Sequence, residues 1–206
     1  MVAVRGLRLL KSADVMPTTA GISRRGLLAA VCLCVGLFAS RAWTQPLWQE
    51  EEQRFRVGLK LFPACLGAVE GLEDRSAASG KLEIRIVYEG SDAIARAAAS
   101  TLGGIGRIRG ILLNVQTLSA ESLDTEATPL GGIFVASVDV GGKRLRLWSE
   151  RHRTLVFSPF AGDVEAGAVA GIHVADRILP FVNLPQARRA AVRFKPFFLE
   201  VAHRYE

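Results

Sequence analysis

The chain has 206 residues, of which 50% are hydrophobic and 22% are charged, so wholesale disorder and a disulfide-rich mini-protein are both excluded. The formal net charge is +6, but residues 1–42 alone carry six basic and one acidic side chain, and the other residues carry 20 basic and 19 acidic ones. This balance excludes a nucleic-acid binder driven by bulk charge, and the hydrophobic pattern excludes a polytopic membrane protein.

The first 42 residues have the pattern of an export signal. Arg24-Arg25 precedes an apolar run at 27–39, and the small residues Ser40 and Ala42 follow it. The run is too short to cross a bilayer comfortably. We therefore predict a signal at 1–42, either twin-arginine or ordinary secretory, that is removed or, less favoured, retained as an anchor. It sends a single domain, residues 43–206, to the periplasm, with membrane contact only if the signal stays uncleaved.

One cysteine, Cys65, remains in the predicted mature chain, because Cys32 and Cys34 lie inside the signal. Their C-x-C spacing is therefore not a metal site. We expect Cys65 to be a small buried side chain, and an intermolecular disulfide is the alternative.

The remaining sequence alternates between strand and helix patterns. Acidic residues open a helix at 48–72, which Pro63 should kink or interrupt. Gly90-Ser91-Asp92 is predicted to supply a turn and the N-cap of the second helix. The other predicted elements, in chain order, are a strand at 82–88, a helix at 93–102 closed by Gly103-Gly104, strands at 111–115 and 133–138, a helix at 143–153, a strand at 154–157, a hairpin of 168–174 with 177–182, and helices at 184–192 and 196–205.

This order predicts an α/β fold with an open, mostly parallel sheet flanked by helices, followed by a C-terminal antiparallel hairpin and two terminal helices. In such a sheet, ligands bind outside the carboxyl ends of the parallel strands. The turn after the first strand, the end of the third strand and the loop at 158–171 all meet there. The candidate ligand-binding residues at this edge are Ser91, Asp92, Ser137, Ser158, Gly162 and Asp163.

The sequence contains no strong catalytic or cofactor-binding motif. The glycine-rich string at 103–110 follows a helix and precedes a strand, the reverse of a dinucleotide loop, so we interpret it as a connection. His152, His173 and His203 share no metal-ligand spacing, although His173 should face outward from its strand. Ser137 lacks the glycines of a nucleophile elbow. We predict no metal, no cofactor and no enzymatic activity; an exported hydrolase using Ser137 or Asp163 is a third, unsupported alternative.

The order of features resembles the YfiR-like family of exported bacterial proteins over about residues 54–202. The shared features are an aromatic-proline pair after the first helix, strand ends with characteristic turns, and a closing strand–Asn-Leu–helix–helix arrangement. They stand at Phe62-Pro63, 82–88 with Gly90-Ser91-Asp92, Gly132 to Ser137, Thr154 to Ser158 with Gly167 and Gly171, Pro180 to Leu184, 187–190 and 194–202. Phe62 stands where the family usually has tryptophan, and the paired cysteines of some members are absent.

The resemblance implies a periplasmic, non-enzymatic regulator that binds and restrains an inner-membrane sensor, such as a cyclic-di-GMP synthase or a sensor kinase, and that is often a homodimer. No nucleic-acid partner is expected, because residues 43–206 are nearly balanced in charge. Asn183 matches a family position, where we expect it to hydrogen-bond the chain between strand and helix. The alternative from the residues is a small solute-binding component of a transport system that uses the strand-end cleft.

Overall fold

The computed structural model describes residues 45–77 and 79–206, with side chains from residue 49 onward. The predicted export signal at 1–42, including Cys32 and Cys34, lies outside the described residues. None of the described helices combines the length and the apolar character that crossing a bilayer requires.

Helices and strands alternate through most of this region. The helices are α1 (Gln45–Gly67), α2 (Ala93–Gly103), α3 (Ala120–Leu123), α4 (Gly142–His152), α5 (Asp163–Ala166), α6 (Leu184–Arg189) and α7 (Pro196–Val201), with a 3₁₀ turn at Glu73–Arg75. The strands are β1 (Lys81–Tyr88), β2 (Arg107–Ile108), β3 (Ile111–Ser119), β4 (Gly132–Val135), β5 (Leu155–Ser158), β6 (Ala170–Val174), β7 (Ile178–Asn183) and β8 (His203–Tyr205).

All of these strands belong to one sheet in the order β2-β3-β1-β4-β5-β6-β7-β8. Its centre, β3-β1-β4-β5-β6, is parallel, while β2 and β7 pair antiparallel with β3 and β6. The predicted fold class is therefore confirmed, including the C-terminal hairpin. β3 lies on one side of β1, and β4 lies on the other. The strand order therefore changes direction between β1 and β4, which is the topological switch point of the sheet.

Each face of the sheet carries its own hydrophobic core. On one face, α1 lies against a group of phenylalanines, with Phe134 5.5 Å from Phe62 and 5.7 Å from Phe157 between ring centroids. On the other face, fully buried Trp148 of α4 packs with Leu145, and its indole N–H donates to Asp124 Oδ1 at 2.7 Å. Helices on both faces cover the central strands, as a doubly wound sheet requires.

Strand β1 is buried on both faces, although its sequence alternates between apolar and charged residues. Glu83 and Arg85 occupy its polar positions, yet they are only 7% and 6% exposed. Arg85 Nη1 donates to Glu83 Oε2 at 3.0 Å, and Asn114 Nδ2 of β3 donates to both carboxylate oxygens at 3.0 and 2.8 Å. The central strand therefore buries an ion pair on the face that alternation assigns to solvent.

Local details differ from the predictions. Helix α1 is not interrupted at Pro63 and ends at Gly67, before the predicted end at 72, and its apolar face packs against the sheet. The side chain of Asp92 makes no capping bond; Ser91 Oγ accepts from the amide of Ala93 at 3.4 Å instead. The last predicted helix stops at Val201, and the chain then adds β8 alongside β7, whose open edge offers backbone hydrogen bonds.

The glycine-rich string is a helix-to-strand connection, as predicted. It also contains β2 and a tight turn into β3, in which Arg109 and Gly110 have φ of 51° and 83°. Two successive positive φ values are the geometry of a two-residue hairpin turn, which explains the glycine at the second position. β2 therefore forms one edge of the sheet. The string follows a helix and leads into a strand, whereas a phosphate-binding loop opens a helix.

Candidate functional site

A cleft of about 820 Å³ opens at the carboxyl ends of β1 and β4, where the strand order reverses. Helices α1 and α2 form its two walls, and the loops that follow β1, β4 and β5 form its base. The lining is mainly apolar: Phe55, Leu59, Ile94, Ala97, Ala98, Ala136, Val138 and Phe160. Its size and position are those of a small-molecule site in a doubly wound sheet.

Aromatic side chains form the deep part of the cleft. Phe55 of α1 lies 5.6 Å from Phe134 in an edge-to-face contact and 6.4 Å from Phe160 in a stacked one, between ring centroids. Near the mouth, Ile94 and Val138 are 59% and 38% exposed. The cleft therefore offers an aromatic floor and an apolar mouth, which together favour a ligand with a hydrophobic body.

At the base of the cleft, one side chain hydrogen-bonds the loop after β4 to the loop after β1. Ser137 Oγ accepts from the backbone N–H of Glu89 at 2.9 Å and donates to the Glu89 carbonyl at 3.4 Å. The Glu89 side chain in turn pairs with Arg144, which also reaches Asp124 at 3.2 Å. Ser137 thus holds the β1 and β4 loops together while its side chain still lines the cleft.

The predicted site residues separate into two groups. Ser91 and Ser137 line the cleft, whereas Asp92 lies outside it and pairs with Arg96 at 3.1 Å on the surface of α2. Ser158 is fully buried and donates to Asp163 Oδ2 at 2.5 Å. As ligand-binding residues, all of these remain predictions.

Hydrogen bonds within the loop after β5 hold its conformation. Ser158 Oγ accepts from the amide of Phe160 at 3.3 Å, and exposed Gly162 adopts φ 82° immediately before α5. Burial raises the pKa of Asp163, although the hydrogen bond from Ser158 opposes that rise. Ser158, Gly162 and Asp163 therefore shape the loop that carries Phe160 into the cleft, and none of the three lines the cleft wall.

One polar group in the cleft is not marked by any pattern in the sequence. Glu51 of α1 lines it, and its Oε2 atom is enclosed with no hydrogen-bond partner among the described residues. Burial raises the pKa of Glu51; Arg54 opposes this rise, and the nearby charges of Glu50, Asp163 and Asp139 add to it. In the sequence this residue belonged only to the acidic start of a helix, so no local signal distinguished it.

Asn183 lies at the junction between β7 and α6. It is buried, and its Oδ1 accepts from the amide of Gln186 at 2.9 Å while its Nδ2 donates to the Val164 carbonyl at 2.6 Å. The side chain therefore caps α6 and ties it to α5. This is the structural hydrogen-bonding role expected of the position.

The histidines are arranged in a way that their spacing did not predict. His173 stacks on His203 of β8 at 3.7 Å between ring centroids, and both contact Phe181. His152 is half-buried, which lowers its pKa, and nearby Arg151 lowers it further. Among residues 45–77 and 79–206, no group of three or more His, Cys, Asp or Glu side chains is placed to hold a metal ion.

Comparison with known proteins gives no family assignment. No family model matches the chain, and no curated protein matches it. The solved structures that resemble it include the ABC domain from Streptococcus pneumonia in complex with L-Trp, with a TM-score of 0.47 and 10% identity over 73% of this chain and 59% of that one. Another is a conserved domain protein from Vibrio cholerae o1 biovar eltor, with a TM-score of 0.45 and 16% identity over 66% and 60%.

The chain therefore spans about three fifths of each of these two structures.

Proposed function

We propose that this protein is an exported, non-enzymatic binding protein that regulates an inner-membrane sensor, such as a cyclase or a kinase, in the manner of the YfiR-like family it resembles. The observation that carries the proposal is the apolar cleft at the carboxyl edge between β1 and β4. Occupation of this cleft is the input signal, and the surrounding surface is the output toward the sensor. A homodimer is the expected state in this scheme.

The lining of the cleft specifies the kind of ligand. Phe55, Phe160 and Ile94 favour a hydrophobic body. The enclosed Oε2 atom of Glu51 favours a hydrogen-bond donor or a positive charge on the ligand, because a partner would relieve the cost of an unsatisfied buried oxygen. A ligand of this kind has an apolar part directed to the aromatic floor and a donor group directed to α1.

The charge distribution supports regulation outside the cytoplasm. Residues 43–206 carry a net charge of +1, while the predicted signal carries the basic excess. Cell fractionation with intact-mass measurement tests this step. We expect the protein in the periplasmic fraction, shortened by the signal or held on the membrane by it, and recovery of the full chain from the cytosol would contradict the proposal.

The decisive experiment changes the cleft and measures sensor binding. Ala97 of α2 is exposed and lines the cleft, so Ala97→Trp fills the cleft, while Ser100→Trp places the same bulk on α2 away from the lining. We expect wild type and Ser100→Trp to capture the same sensor from detergent-solubilised membranes, and Ala97→Trp to change the amount captured severalfold. Failure of wild type to capture a sensor that is present in those membranes would refute regulation.

A solute-binding component of a transport system is the second candidate, and the volume of the cleft favours it because 820 Å³ suits a metabolite. Native mass spectrometry of the protein purified from its own cells distinguishes the two. A bound metabolite, lost in Ala97→Trp and accompanied by capture of a permease in place of a sensor, would establish the second candidate.

A further inference from the structure

A second cavity, of about 660 Å³, lies away from the cleft, where the chain enters the sheet. It is bounded by the segment after α1 with the 3₁₀ turn, by the end of α4, and by the end of α6. No residue that lines it also lines the apolar cleft. A ligand bound in this cavity therefore touches none of the residues that line the cleft, and its binding is independent of the proposed function of the cleft.

The lining of this cavity is strongly basic. Four arginines, Arg75, Arg153, Arg188 and Arg193, face two carboxylates, Glu70 and Asp74. Arg193 pairs with Glu70 at 3.2 Å, at a position where the Arg193 side chain is 84% exposed. Within the described part of the chain, the other three arginines make no ion pair, so only Asp74 remains to oppose three guanidinium charges.

Arg75 organises the cavity. Its guanidinium donates to the carbonyl of Arg153 and, at 3.1 Å, to the carbonyl of Ala191. Arg153 and Ala191 adopt φ of 49° and 51° at the ends of α4 and α6, so both carbonyls belong to left-handed turns that close a helix. Arg75 thereby satisfies the negative ends of two helices, which would otherwise repel an anion.

The positive charge of the site is not neutralised by the protein itself. Burial lowers the pKa of Arg75, and the neighbouring charge of Arg153 lowers it further, while Asp74 opposes the shift. Arg153 and Arg188 are exposed at the cavity wall, so their guanidinium groups are free to approach a ligand. An arginine fork matches the geometry of a phosphate or carboxylate group and can bind it through two parallel hydrogen bonds.

We propose that this cavity binds a small multivalent oxyanion of the phosphate class, with Arg153 and Arg188 as its ligands and Arg75 as a positioning residue. The volume exceeds that of a single phosphate group and lies within the range of small-molecule sites, so a phosphorylated metabolite fits better than inorganic phosphate alone. A phospholipid headgroup presents the same chemistry.

The test titrates the full chain with sodium pyrophosphate and, separately, with sodium chloride at matched ionic strength, and follows heat of binding and amide chemical shifts. The double variant Arg153→Asn with Arg188→Gln removes the two ligands, and asparagine tolerates the left-handed backbone at position 153. The matched control is Arg96→Gln with Arg177→Gln, which removes the same charge from exposed positions that do not line the cavity.

We expect saturable binding of pyrophosphate to wild type and to the control, and at least a tenfold weaker affinity in the double variant. Arg188→Gln alone, which leaves the left-handed turn untouched, should show an intermediate loss if the double variant fails to fold. The proposal is overturned if wild type shows no saturable binding, or if the cavity variants and the control lose affinity equally. Vesicles of phosphatidylglycerol, compared with free pyrophosphate, identify the source of the phosphate group.

Discussion

The buried ion pair of β1 offers a sharp test of the structure. Removing one partner, as in Arg85→Met, leaves Glu83 charged and enclosed with Asn114 as its remaining side-chain partner. At 3.0 Å and an effective dielectric constant of about 20, the lost attraction is roughly 5 kcal/mol. Loss of one partner of a buried pair costs about 3–5 kcal/mol, so we expect a fall of that size in the free energy of unfolding.

The double variant Glu83→Leu with Arg85→Met removes both charges. Because no isolated charge remains buried, we expect it to recover most of the loss and to lie within about 2 kcal/mol of wild type. The matched control is Arg96→Met, which breaks an exposed pair with Asp92 on α2 and should cost about 0.5 kcal/mol or less.

Urea unfolding followed by circular dichroism and tryptophan fluorescence measures all three variants, with the slope of the transition checked for constancy. A cost for Arg85→Met no greater than that for Arg96→Met would contradict the burial of this pair, since Glu83 and Arg85 would then be solvated. The buried ion pair is also contradicted if the double variant is no more stable than Arg85→Met, because removing the second charge would then relieve no buried charge.

Four further outcomes are expected. Phe134→Ala should lower the free energy of unfolding by about 3–5 kcal/mol in urea unfolding, because Phe134 is fully buried among three other phenylalanines, and Phe134→Leu should cost much less. Asn183→Ala should cost about 1–3 kcal/mol, whereas Asn183→Ser keeps an uncharged oxygen that can cap α6 and loses the bond to the Val164 carbonyl, so it should cost less; equal losses would contradict the capping role. The pKa of Asp163 is raised on folding, so its contribution to stability falls as pH rises from the unfolded pKa through the folded one; Asp163→Asn should be more stable than wild type at neutral pH and similar at about pH 3, as measured by thermal unfolding across that range. Burial raises the pKa of Cys65 to about 12, so alkylation with iodoacetamide should proceed only in denaturant, and rapid labelling of the native protein would contradict its enclosure.

The sequence was most informative where local chemistry fixes structure. Alternation and glycine turns predicted β1, α2 and the C-terminal hairpin, and the order of elements predicted the sheet edge at which the cleft lies. It was least informative where tertiary contacts decide. The packing of α1 over that edge brings Glu51 into the cleft, and helices on both faces bury Glu83 despite its alternating position.

The end of the chain shows the same limit. Residues 203–205 have a helical pattern, but the open edge of β7 draws them into a strand, with Phe181 opposite His203. This contact joins residues more than twenty positions apart, so no local window contains it. The same strand brings His203 onto His173, a stacking that histidine spacing could not reveal.

The two shortest strands of the sheet stand at its outer borders. β2 has two residues and β8 has three, so neither offers a long row of free amide and carbonyl groups to another molecule. Removing residues 203–206 would expose the backbone of Phe181, Val182 and Asn183 on this side of β7 to strand exchange between copies. The three residues of β8 therefore guard this border of the sheet against polymerisation of the protein through its strands.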